Sequence, residues 1–197
     1  FCIFMVGTGL RVDEALKLEW EDIRCIDRER VVNRQATETI VSAYGKDFLS
    51  QLERYYLQIN VGISKSRPHT AYGTGSAYFA YQNLIKLYTS NPQFNCKVGE
   101  GTIFKLHSFR EGLNSLLDEA DLKFEKLGDS RVKRDSKSFR HTFIQFMLNK
   151  GMSSTAIAKM CGTSTEMIDK YYTSNMALDT MMDTFNKVKG GHLKIVS

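Results

Sequence analysis

Two short segments hold the residue types and spacings that could do chemistry. The first, Thr8-Gly9-Leu10-Arg11-Val12-Asp13-Glu14-Ala15-Leu16, sets an arginine one helical turn before a glutamate. The second opens Ser138-Phe139-Arg140-His141-Thr142-Phe143 and, after a further helix and turn, reaches Gly162-Thr163-Ser164 and Lys170-Tyr171-Tyr172. Arginine carries a permanent charge on a planar fork that grips two oxygens of a phosphate or carboxylate together, which lysine does less well. A tyrosine hydroxyl can form a covalent ester once activated. Singly these signals are weak, because an arginine at a helix start is most often a solvated or capping residue.

The elements that must position these groups read as mostly helical. Cys2 to Val6 is apolar, broken by Gly7-Thr8-Gly9, and reads as the inside of a helix. A helix is predicted from Leu10 to about Leu18, with Asp13 and Glu14 in the first turn, where carboxylates favour the helix dipole. Val31-Val32 and Thr39-Ile40-Val41 are β-branched and predict two short strands between Arg30 and Ser42, with Gln35 to Glu38 as the turn. Phe48, Leu49, Leu52, Tyr55 and Tyr56 recur at helical spacing and predict a helix from Lys46 to about Ile59. Further helices are predicted over Ala77 to Leu87, Phe104 to about Ala120, Ser138 to Lys150, Ser154 to Cys161 and Ser164 to about Tyr172. Gly151 and Gly162 would end two of them, and Thr163-Ser164-Thr165-Glu166 has capping-box spacing. A basic connector, Lys126 to Lys137, separates the second and third helices of that series. The pattern is a mainly α chain with a small antiparallel β-sheet (α+β).

Composition narrows the class without naming a function. The 197 residues, 42% hydrophobic and 25% charged, suit one domain with a real core. The net charge of +5 leans towards a polyanionic partner. Four cysteines without a CxxC pair, and four histidines without ligand spacing, predict neither a structural zinc site nor a disulfide framework, and fit a reducing compartment. No apolar run approaches the roughly 20 residues of a membrane span. The opening Phe1-Cys2-Ile3 lacks a basic n-region and reads as the start of a fragment rather than a signal peptide.

Together and in this order, the two segments resemble the catalytic domain of the tyrosine recombinases, the phage-type integrases, from Thr8 to Tyr172. That family has a TGxRxxE segment, an R-H-T-F-like segment opening a later helix, and a nucleophilic tyrosine after a glycine-containing turn. The resemblance implies a site-specific recombinase that cuts and rejoins double-stranded DNA through a 3′-phosphotyrosyl ester, without metal, ATP or cofactor. Attack on a phosphodiester builds negative charge on the non-bridging oxygens. The resemblance makes Arg11 and Arg140 the clamps that meet this charge and Tyr172 the nucleophile. Tyr171 is the rival; adjacent helical residues point roughly 100° apart, so only one can face the phosphate. Glu14 could hold a guanidinium or simply compensate the helix dipole, and His141 is expected in support beside Arg140. Arg131, Lys133 and Arg134 in the connector are candidates for phosphate contacts that position without reading sequence.

Three positions depart from the family pattern. Lys137 stands where a histidine usually precedes the second arginine by three residues, and Thr163 where a histidine or tryptophan follows the glycine, as in some phage-type members. The family's general acid is a lysine in the turn between two strands; alignment on the Arg30 to Ser42 hairpin puts Arg34 there. Arginine is a poor acid, and Lys46 is chemically better but displaced in the alignment. His107-Ser108-Phe109-Arg110 matches the family's literal HxxR, yet lies too far before Tyr172 and reads as part of an amphipathic helix. The family also implies an N-terminal DNA-clamping domain and first helix outside this chain, so that residues 1–197 form the catalytic domain. It further implies a homotetramer on DNA and a cytoplasmic location in a bacterial or phage-infected cell; the C-terminal tail, residues 174–197, either is exchanged between protomers, as is common in the family, or folds back on its own domain. Two other readings are weighed beside it. One is a degenerate relative that binds DNA without cutting. The other is a helix-turn-helix regulator, suggested by Ser154 to Ser164, which leaves Arg11 unexplained.

Overall fold

The computed structural model describes residues 1–27, 55–62, 67–94, 96–106, 109–127 and 130–172. The chain opens with helix α1, Cys2–Thr8, which ends because Gly9 takes the left-handed conformation (φ 65°) and returns its N–H to Met5 O. A β-carbon on Gly9 would collide with the Phe143 ring, so this glycine is required both for its φ and for close approach. Helix α2 covers only Val12–Ala15, shorter than the predicted Leu10 to Leu18. The reason is tertiary: Leu18 is buried and its carbonyl accepts the Ile103 N–H at 2.9 Å, which pulls the chain out of helical register.

Strands β1 (Ile23–Asp27), β2 (Tyr55–Val61) and β3 (His69–Gly73) form an antiparallel sheet in the order β1-β2-β3. The helix predicted from Lys46 to Ile59 is therefore corrected at its C-terminal end, where Tyr55 to Ile59 are strand. Leu57, Ile59 and Val61 alternate onto one face and join a core with Phe4, Met5, Leu10, Trp20 and Ala77. Tyr56 and Tyr72 belong instead to a second core with Phe143, Ile144, Ile157, Met160 and Ile168. The sheet thus contributes to two apolar layers, one around α1 and α3 (Gly75–Ser90), the other around the C-terminal helices.

Helix α4, Phe109–Glu119, lies inside the span predicted from Phe104 and begins later. The predicted basic connector holds a hairpin, β4 (Phe124–Leu127) with β5 (Ser130–Lys133), in which Lys126 faces Arg131 across the ladder. Its Phe124 and Val132 are exposed, so no buried alternation marked it in the sequence. Three helices close the fold: α5 (Lys137–Asn149), α6 (Ser154–Cys161) and α7 (Thr165–Tyr172), all close to expectation. Ser153 caps α6 by accepting the Ala156 N–H, and Ser164 accepts the Met167 N–H at the start of α7. The strands predicted between Arg30 and Ser42, with Arg34, and also Lys46, His107 and the tail 174–197 lie outside the described residues. Among the described residues no helix is long and apolar enough to cross a membrane.

Candidate active site

The site is built on the turn that ends α6. Gly162 sits there with φ 58°, and the turn leaves the Cys161 and Gly162 carbonyls facing two arginines. Arg140, one turn into α5, donates from Nη1 to Gly9 O at 2.9 Å and from Nη2 to Cys161 O at 2.6 Å. Arg11, at the N-cap of α2, donates from Nη2 to Gly162 O at 3.3 Å and from Nη1 to Glu14 Oε1 at 2.7 Å. The other oxygen of Glu14 accepts the Arg11 backbone N–H at 2.8 Å. Glu14 is 3% exposed, so its carboxylate both caps the helix and holds the guanidinium. Of the two roles the sequence left open for Glu14, the contact with a guanidinium is the one seen directly. Each guanidinium has more N–H donors than these bonds use.

A cavity of about 560 Å³ opens beside the two arginines, lined also by Lys137, His141, Thr163, Tyr171 and Tyr172. Arg11 and Tyr172, 161 positions apart in the chain, are thus brought to one surface. Tyr172 lies half-buried with its hydroxyl 2.6 Å from His141 Nδ1, and the two rings pack at 5.2 Å. Burial pushes the Tyr172 phenol above its usual range, opposed by the Arg140 charge. His141 is shifted below the ordinary histidine value, first by burial and then by Arg140 and Lys137, with Asp135 opposing. Tyr171 is 52% exposed, with Lys170 Nζ 5.3 Å from its ring centroid. The Cys161 thiol is buried and pushed up to about 11, which leaves it inert.

The remaining sequence candidates fall unevenly. Lys137 is exposed at the first turn of α5 and on the cavity wall, its backbone N–H held by Asp135 at 2.8 Å. Thr163 also lines the cavity. Of the connector residues, Lys133 is exposed, Arg134 spends one donor on Leu122 O at 3.0 Å, and Arg131 sits on strand β5. Neither Lys133 nor Arg134 lines the cavity. Arg110 is exposed on α4, away from it.

One residue escaped the sequence reading. His69, the first residue of β3, packs its ring under Gly162, where a β-carbon would come within 2.6 Å of it. Its Nδ1 lies 3.2 Å from Arg67 O, and its Nε2 is buried without a partner among the described residues. Burial, then the charges of Arg140 and Arg11, hold it below the usual histidine value, so a neutral ring backs the turn that both arginines grip. No spacing marked it, because its neighbours on the turn are 93 positions away in the chain. The chain between β2 and β3 includes Lys65, which lies outside the described residues.

The model of the phage integrase family matches residues 1–177. No curated protein matches the chain by sequence. Among solved structures, XerA recombinase is 13% identical with a TM-score of 0.55, over 95% of this chain and 56% of that one. The Tn1549 transposon integrase in complex with transposon right end DNA is 16% identical, TM-score 0.55, over 95% and 57%. XerH bound to palindromic difH substrate in a post-cleavage complex is 14% identical, TM-score 0.55, over 95% and 45%. The chain therefore spans about half the length of these recombinases and shares the fold of that half. The chain belongs to the phage integrase family and has the tyrosine recombinase catalytic-domain fold.

Proposed function

We propose that this chain is the catalytic domain of a site-specific DNA recombinase working through a phosphotyrosyl ester, with Tyr172 as nucleophile. The observation that carries the reading is the convergence of Arg11, Arg140 and Tyr172, from α2, α5 and α7, on one cavity. In the reaction, the Tyr172 oxygen bonds to phosphorus as the bond to the 5′-oxygen breaks. The two guanidinium forks take up the charge that builds on the non-bridging oxygens. The ester keeps the bond energy, so the reverse attack by a 5′-hydroxyl rejoins strands without ATP or metal. DNA complexes of the Tn1549 integrase and XerH support double-stranded DNA as the partner. Lys133 and the β4–β5 hairpin suit backbone contacts. Lys65, rather than Arg34, is the better general acid, because lysine can release a proton and arginine effectively cannot. A homotetramer on DNA, exchange of the tail 174–197, and phage-type integration inferred from Gly162-Thr163-Ser164 complete the proposal.

The test uses the full-length protein and DNA duplexes tiled across the region flanking its gene. After denaturation, protein covalently joined to a 3′ end is expected for wild type and Tyr171→Phe, and absent in Tyr172→Phe. Loss in Tyr171→Phe alone would move the nucleophile by one residue. DNA binding without any adduct would favour the non-cutting relative, and would make Lys137 and Thr163 the reason.

A further inference from the structure

Tyr172 must lose a proton when it attacks, and at neutral pH it cannot do so alone. Burial holds its phenol above the ordinary tyrosine value of about 10, so an acceptor must be in contact at the moment of attack. The two histidines the family pattern would supply are here Lys137 and Thr163. Lining the cavity, His141 is the one histidine among the described residues, and its Nδ1 is 2.6 Å from the Tyr172 hydroxyl.

We infer that His141 is the proton acceptor for Tyr172: a catalytic residue of this chain's own, taking over the base role left open by the missing histidines. This rests on Tyr172 being the nucleophile. The hydroxyl donates to Nδ1, and the ring carries its own hydrogen on Nε2. As the Tyr172 oxygen forms its bond to phosphorus, its proton passes to Nδ1. The bond to the 5′-oxygen breaks, and that oxygen takes a proton from an acid on the far side of phosphorus or from water. In religation the imidazolium returns the proton to Tyr172.

The surroundings suit such a cycle. Facing His141 are Lys137 and Arg140 from its own helix, Asp135 just before it, Tyr171 and Tyr172 from α7, and Arg11 and Asp13 across the cavity. Burial first, and then the charges of Arg140 and Lys137, hold the ring below the ordinary histidine value against the opposing pull of Asp135, which leaves it able to accept. A phosphate between the arginines offsets their charge, so the imidazolium is favoured when the proton arrives.

The experiment measures single-turnover adduct formation with the same DNA, wild type against His141→Asn. Asparagine keeps a polar atom near the Nδ1 position but cannot hold the proton. The expected result is a loss of about 10²-fold, with the acidic limb of the wild-type pH–rate profile abolished. The loss should persist on DNA with sulfur in place of the bridging 5′-oxygen, because a thiolate leaves without needing a proton. A wild-type rate in His141→Asn, or rescue by the sulfur substrate, overturns the assignment. If thermal melting shows that variant to be unfolded, the wild-type profile on the sulfur substrate decides: a flat acidic side overturns the assignment. Tyr172→Phe separates the two readings, since an adduct surviving there overturns the nucleophile itself and the assignment with it.

Discussion

Arg11 and Arg140 reach the Cys161-Gly162 turn from opposite ends of the chain, and they are held there by different means. Arg11 stands at the N-cap of a one-turn helix and is paired with the buried carboxylate of Glu14 at 2.7 Å. Arg140 lies within a 13-residue helix and donates to two backbone carbonyls, Gly9 O and Cys161 O. A carboxylate offsets much of the charge it touches, whereas a carbonyl dipole orients the fork and leaves most of its charge in place. Arg140 therefore brings the larger net positive charge to the cavity and also ties the α1–α2 region to α6. Arg11 is a positioned donor whose charge is partly offset.

This contrast fixes an order of effects. Arg140→Ala should be the most damaging change. Cleavage is expected to fall about 10²- to 10³-fold, as for loss of one preorganised donor. Stability should fall by about 3 kcal/mol in urea titration, because two carbonyls lose a charged partner. Arg140→Lys, lacking the fork, should restore only part of either.

Gly162→Ala comes next, since both arginines depend on this turn. The left-handed backbone costs about 1 kcal/mol, and the clash with His69 adds about 1–2 kcal/mol by overpacking. In a double-mutant cycle His69→Ala should recover the clash and not the strain. Recovery of the whole loss would show that the turn does not depend on its φ of 58°.

Glu14→Gln should be the mildest of the three. It removes the ion pair, but the Arg11 side chain is 33% exposed and solvent screens part of the change. A stability loss of about 1–2 kcal/mol is expected, with cleavage reduced about tenfold at most. A larger effect than that of Arg140→Ala, in either measurement, would reverse the proposed division of labour.

How far the sequence led depended on whether the decisive interactions were local. Helix α6 was legible to the residue, Ser154–Cys161, because a serine before it and a glycine after it act within one turn. Tyr55 and Tyr56 misled, since their spacing from Phe48, Leu49 and Leu52 fits a helix while pairing with β1 makes them strand. The β4–β5 hairpin was missed because its apolar residues are exposed and carry no alternation towards a core. His69 was invisible for a different reason: its importance comes from a glycine in another part of the chain.

By itself the sequence determined the residue types and their order: two arginines, a glutamate one turn from the first, a histidine beside the second and a tyrosine pair after a glycine turn. Those depend on chemistry and short-range spacing, which a linear string records. Tertiary structure alone decided which tyrosine meets His141, which carbonyls hold each arginine, and that a neutral histidine backs the turn between them. Each of these is a contact between segments far apart in the chain, set by how helices and sheet pack around two cores. Local spacing does not encode that packing.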